Sequence, residues 1–127
     1  MTGESAQPKT VPQILDILGL PEVTDPEVGV LVIKQDGGIW ITNERANEMF
    51  NAGEDMSKLT LPDLIPGDSK EYHQYLFDSR VQQGGRLVGT HVVPALNKEG
   101  EIFYVELAVE SGKYEKEVLH VVFVKLD

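Results

Sequence analysis

The sequence predicts an α+β domain, with short helices packed against an antiparallel sheet. Three observations carry that reading. The last third of the chain holds three β-prone runs, at about 87–96, 101–111 and 117–125. The turns between them are too short for parallel crossovers, so the pairing is antiparallel. A β-branched run and its return, over residues 29–42, read as a further hairpin. The apolar stripes before and between these strands recur at helical spacing.

From the N-terminus, residues 1–9 are small and polar and are expected to form a flexible tail. Residues 10–20 carry a cap helix. Thr10-Val11-Pro12-Gln13 has the form of a capping box with proline in the first turn. Val11, Ile14, Leu15 and Leu18 follow the i, i+3, i+4, i+7 stripe, and Gly19 and Pro21 stop it. So short a helix is not stable alone and must pack on the domain or on a partner. An acidic, proline-containing connector follows over 21–28, and the main domain spans 28–127.

Within that domain, Gln35-Asp36-Gly37-Gly38 supplies the turn between Gly29–Lys34 and Ile39–Thr42. Asn43 is a good N-cap, Ala46, Met49 and Phe50 form one apolar stripe, and Gly53 is expected to end that helix. Thr60-Leu61-Pro62-Asp63 opens a very short helical piece closed by Pro66. Asp68 or Ser69 caps a longer helix running to about Gln82, with Tyr72, Tyr75 and Leu76 as its core stripe and Gly84-Gly85 as its stop. Asn97–Gly100 and Ser111–Lys116 are the last two turns.

The final strand is apolar on both alternating faces. Leu119, Val121 and Phe123 make one set, and Val118, Val122 and Val124 the other. A sheet with one wet face alternates apolar with polar residues. This strand is therefore central and its outer face is covered. The helix at 10–20 is the cover, in cis or swapped between two copies. That predicts a symmetric homodimer through the N-terminal helix and the outer sheet face.

Composition narrows the chemistry. There is no cysteine, which excludes disulfides, thiolate metal sites, iron–sulfur clusters, thiol nucleophiles and cysteinyl-flavin photochemistry. Eleven basic against 21 acidic residues leave a net charge of −10. That field repels nucleic acid and anionic membranes. No apolar run reaches the roughly 18 residues of a membrane span. The polar start lacks an apolar targeting region, so the expected setting is cytoplasmic. No Ser-His-Asp set or carboxylate pair stands out, and the chain is read as not an enzyme. A small α+β enzyme would need a pocket carboxylate with a raised pKa.

Asp36-Gly37-Gly38-Ile39 followed by Asn43, Ala46 and Phe50 resembles the start of a PAS domain. Leu64-Ile65-Pro66, the helix from 68, Lys98-Glu99-Gly100 with Phe103, Val105, Glu106 and Leu107, and the strand from His120 to Lys125 resemble its second half. The resemblance covers about residues 28–125, in order. It implies a five-stranded antiparallel sheet of order 2-1-5-4-3, with helices enclosing a small pocket on one face. It also implies a sensory module that binds a small ligand or cofactor and signals through protein–protein contacts to a downstream domain or protein. The chain ends at Lys125-Leu126-Asp127, where PAS domains pass into a connector. A piece of a larger sensor is the expectation, with a stand-alone module as the other reading.

Within that family the sequence is most similar to the haem-containing oxygen-sensor subgroup, which implies haem as one cofactor. A cofactor-free pocket is the other reading. The iron-ligand position falls on His73 counted from Pro66, and on Tyr72 counted back from Tyr75 and Gly89. The subgroup's arginine position falls near Val92, beside His91. On the residues alone, His73 sits about 100° around its helix from Tyr72, at the flank of the core stripe. His91 shares a strand face with Leu87, Gly89 and Val93, and titrates near neutral pH if it lines the pocket. Trp40, the single tryptophan, reads as a sheet-surface or pocket-wall residue, or as a cofactor-stacking one. The candidate pocket set is His73, Tyr72, His91, Leu87 and Trp40. Three scattered histidines show no metal-ligand spacing.

Overall fold

A computed structural model describes residues 8–51, 56, 58–65, 79–90 and 92–127. The described elements are α1 (Val11–Leu18), β1 (Val28–Ile33), β2 (Ile39–Thr42), α2 (Glu44–Phe50), α3 (Leu61–Leu64), β3 (Arg80–Gln82), β4 (Arg86–Val88), β5 (Val92–Leu96), β6 (Ile102–Tyr114) and β7 (Glu117–Leu126). Five strands form one antiparallel sheet of order β2-β1-β7-β6-β5, and β3–β4 is a separate hairpin. Numbering the five sheet strands alone gives the expected 2-1-5-4-3.

β1 and β7 occupy the centre, and all six residues of β1 are buried. Alternation along them divides the core in two. Leu31, Ile33, Val122 and Val124 face α2, with Ala46, Met49 and Phe50 packed over them. Val28, Val30, Val32, Leu119, Val121 and Phe123 face α1, with Val11, Ile14 and Leu15 packed over them. The outer face of β7 is thus covered by this chain's own helix. The α1 capping box is present: Gln13 N–H donates to Thr10 Oγ1, and the Gln13 side-chain oxygen accepts from the Thr10 N–H at 3.1 Å. Gly19 closes the helix in the left-handed region at φ 69°. The end of α1 lies so close to β6 that a Cβ on Gly112 would meet Leu18 at 2.8 Å.

Asn43 joins sheet to helix. Its Oδ1 accepts from the N–H of Ala46 at 2.9 Å, which caps α2, and from the N–H of Val30 at 2.9 Å. Its Nδ2 donates to the Val28 carbonyl at 3.1 Å. The side chain therefore continues the β1 ladder where β2 has already turned into helix. Gly29 permits the same approach. A Cβ there would lie 3.1 Å from Ala46 Cα and from a Val124 methyl.

Four boundaries differ from the sequence reading. α2 ends at Asn51, left-handed at φ 53°, before Gly53 is reached. Asparagine tolerates that conformation and gives up nothing by preceding the glycine. Residues 80–82 are strand β3, not the end of a helix. Gly84 and Gly85, at φ 81° and 87°, close a hairpin rather than stop a helix; positive-φ glycines serve either role. The run at 87–96 is broken into β4 and β5 around Gly89, at φ 71°. The turn placed at 111–116 shrinks to Glu115-Lys116, because β6 stays paired with β7 as far as Tyr114↔Glu117. Pairing with an apolar partner strand overrides the weak β-propensity of Ser111, Gly112 and Lys113. The rest of the helix expected from 68, and residues 1–7 of the tail, lie outside the described residues.

The connector is fastened to the sheet by Asp25, whose carboxylate accepts from the N–H of Glu27 at 2.9 Å and from Lys125 Nζ at 3.3 Å. The Glu27 N–H, then Lys125, hold its pKa below the ordinary aspartate value.

Two predictions follow from these fastenings. Asn43→Ala removes a cap and strands the Val30 N–H, so urea unfolding should show a loss of roughly 2–4 kcal/mol. A lowered carboxylate pKa stabilises the fold above its unfolded value, and that contribution disappears as pH falls through the folded value. The stability gap between the native protein and Asp25→Asn should therefore be open at neutral pH and close below about pH 4. Chemical unfolding at stepped pH measures it, and a gap that widens in acid would contradict the ion pair.

Candidate functional site

The α2 side of the sheet is the candidate ligand face. Its floor is Leu31, Ile33, Val93, Ala95, Val105, Leu107, Val122 and Val124, all buried. Ala46, Met49 and Phe50 from α2 stand over it, with Met56, Leu64 and Ile65 from the chain that follows. Phe50 meets Phe103 edge to face, ring centres 5.3 Å apart.

One rim of this face is built around the β5–β6 turn. Asn97 Oδ1 accepts from the N–H groups of Glu99 and Glu101, and Gly100 takes φ 82°. The Lys98 N–H donates to the Phe50 carbonyl at 2.9 Å, and Asn51 Nδ2 donates to Glu99 Oε1 at 2.6 Å. The C-terminal end of α2 and the turn are thus held together, which fixes Phe50 over Phe103. At the other rim the Ile39 N–H donates to the Leu59 carbonyl, and the Thr60 N–H and hydroxyl both donate to Asp63. The Thr60 N–H, then its hydroxyl, lowers the Asp63 pKa. These contacts position α3.

Chemically, the face is hydrocarbon with two thioethers, Met49 and Met56. Such a surface excludes water.

No protein-family model matches the chain, and no curated protein matches it. Solved structures do. A PAS domain from a two-component sensor histidine kinase superposes with a TM-score of 0.61 at 16% identity, covering 82% of this chain and 88% of that one. The PAS domain of a protein from Colwellia psychrerythraea superposes with a TM-score of 0.57 at 14% identity, covering 79% and 86%. The fold is that of a PAS domain.

The PAS fold has two sheet faces, and the structure divides the candidate residues between them. Trp40 packs with the α1-side cluster, not under α2. Leu87 does the same from β4, whereas Val93, expected on its strand face, lies on the α2 side. The break at Gly89 puts the two on opposite sides of the sheet. His73, Tyr72 and His91 fall outside the described residues. The third histidine, His120, pairs through Nδ1 with Ser111 Oγ at 2.8 Å, at the far end of β7.

The residues on which haem binding turns are therefore not among those the structure describes. Among the described residues, no group of three or more His, Asp or Glu is placed to hold a metal ion. None of their helices is long and apolar enough to cross a membrane. Sequence reasoning alone does not bring Met49 and Phe103 together. Met49 belongs to the helix core stripe and Phe103 is one position of a motif; only the fold brings them into one apolar cluster.

Proposed function

We infer that this PAS-fold domain is a non-catalytic sensory module. An apolar small molecule held on the α2 side biases how α1 sits on the opposite side, and contacts with a second copy pass that state on to a signalling domain or protein. The observation that carries this reading is the double use of β1 and β7. Successive residues of the same two strands point alternately to the ligand face and to α1. A shift of Val122 or Val124 cannot occur without moving Val121 and Phe123, because close-packed interiors transmit displacement. A ligand that favours one arrangement then shifts the population of both.

The outer face also supports the contact between copies. α1 covers only part of it. Val92, Ile102 and Tyr104 remain 50%, 64% and 56% exposed on and beside edge strand β5. Exposed large apolar side chains gathered at one sheet edge favour an interaction surface.

Native mass spectrometry and the near-ultraviolet and visible absorption spectrum of freshly purified protein test the ligand reading. The expected result is a colourless, co-purifying apolar molecule whose occupancy falls in Val105→Trp, which fills the floor of the face. A Soret band lost in His73→Ala would replace this with the haem reading. Light scattering after size exclusion tests assembly. Ile102→Lys with Tyr104→Lys should convert dimer to monomer, and removing residues 1–20 should change the assembly. A native protein that stays monomeric at high concentration would defeat the dimer.

A further inference from the structure

The α1 side of the sheet holds a second cleft that the ligand face does not use. β2 bulges where it pairs with β1: Val32 faces Ile41, yet Ile33 faces Ile39. Trp40 is the extra residue. The bulge puts two consecutive side chains, Trp40 and Ile41, on the same face. Bulges re-aim side chains in this way, and they concentrate at sheet edges and beside functional sites. β2 is an edge strand.

The re-aimed indole is only half-buried. Its centre lies 6.2 Å from that of Tyr114, and the rings are tilted by 35° rather than stacked. Lys34 Nζ sits 5.3 Å over the indole centre. These three residues, with Glu115, Lys116 and Glu117 of the β6–β7 turn, line an open cleft of about 270 Å³. Glu117 is held toward it by the Gln35 N–H, and Gln35 in turn accepts from the Val118 N–H. The turn is therefore tied to the β1–β2 hairpin, and the two aromatic rings keep their angle.

We propose that this cleft binds a small organic ammonium ion, and that Lys34 occupies it in the ligand's absence. An aromatic face attracts an ammonium through its quadrupole, and the Lys34 contact shows the indole already receiving one. When Lys34 swings out, two carboxylates, Glu115 and Glu117, stand against the single ammonium of Lys116. An anionic ligand would meet those carboxylates. A cation meets them favourably and is also drawn by the net charge of −10. The cleft is open at the surface, and its volume leaves room for a trimethylammonium group over the indole face that Lys34 now covers. Because Lys34 is a tethered competitor, ligand affinity in the native protein is reduced by the fraction of time Lys34 is docked.

The test is a titration of the purified domain with choline, following Trp40 fluorescence and binding heat. Its uncharged isostere 3,3-dimethylbutanol and sodium chloride at equal ionic strength are run beside it. Choline should give a saturable change that neither control gives. Lys34→Met should tighten choline binding by about fivefold, the scale of one surface cation–π contact. Glu115→Gln with Glu117→Gln should weaken it, and so should Tyr114→Leu. The glutamine variants alter charge without altering packing, so the answer does not depend on Tyr114→Leu folding. The proposal is overturned if choline fails to saturate in both the native protein and Lys34→Met, or if the uncharged isostere does as well. Equal affinity in the native protein and Lys34→Met would overturn the role of Lys34.

Discussion

The architecture rests on one constraint: its two central strands are apolar on both faces. Val28–Ile33 is buried at every position, and Leu119 to Val124 alternates between two hydrocarbon layers. Each valine or leucine kept from water contributes about 1.5–3 kcal/mol, so neither face of β1 or β7 can remain wet. α2 must lie on one side and α1 on the other. The close approaches at Gly29 and Gly112 follow from that demand, since a helix carrying only three buried side chains has to sit near the sheet to exclude water. Asn43 then settles where the second helix starts, by completing hydrogen bonds that β2 abandons.

Much of this was legible in the sequence. The two-faced hydrocarbon of β7 already required a cover, and the stripe Val11-Ile14-Leu15 with its capping box identified it. The cap at Asn43 and the Asn97–Gly100 turn were readable because their chemistry is local. What escaped was decided by contacts distant in sequence. Nothing near Arg80 announces a strand; it becomes one by pairing across Gly84-Gly85. The extension of β6 through Lys113 depends on the register of β7.

The candidate site was less legible than the fold, for a similar reason. Leu87 is read by alternation along an unbroken strand, and Trp40 as a sheet-surface, pocket-wall or cofactor-stacking residue. A bulge at Trp40 and a left-handed glycine at Gly89 each break that alternation. One extra residue is enough to change which layer a side chain joins. The α2 side, by contrast, is made of residues that any core would use, and such residues announce burial but not what they surround. This separates the two readings of function by kind. The inner reading concerns shape and hydrocarbon. The outer one concerns charge and aromatic geometry, which leave a trace in individual residues such as Lys34 and Trp40.

The strand order also bears on how the chain acquires its shape during synthesis. β1 is made early and β7 last among the described strands, yet they are neighbours, with Val28 opposite Lys125. Until β7 emerges, the β1–β2 hairpin presents an unpaired edge and a bare hydrocarbon flank. The β6–β7 hairpin is local and can zip from Glu115-Lys116 at once, whereas closing β1 onto it must first overcome the entropy of nearly the whole intervening chain. The middle of the sheet is thus the last part to be completed, and the nascent chain passes through a long interval in which its stickiest strand has no neighbour.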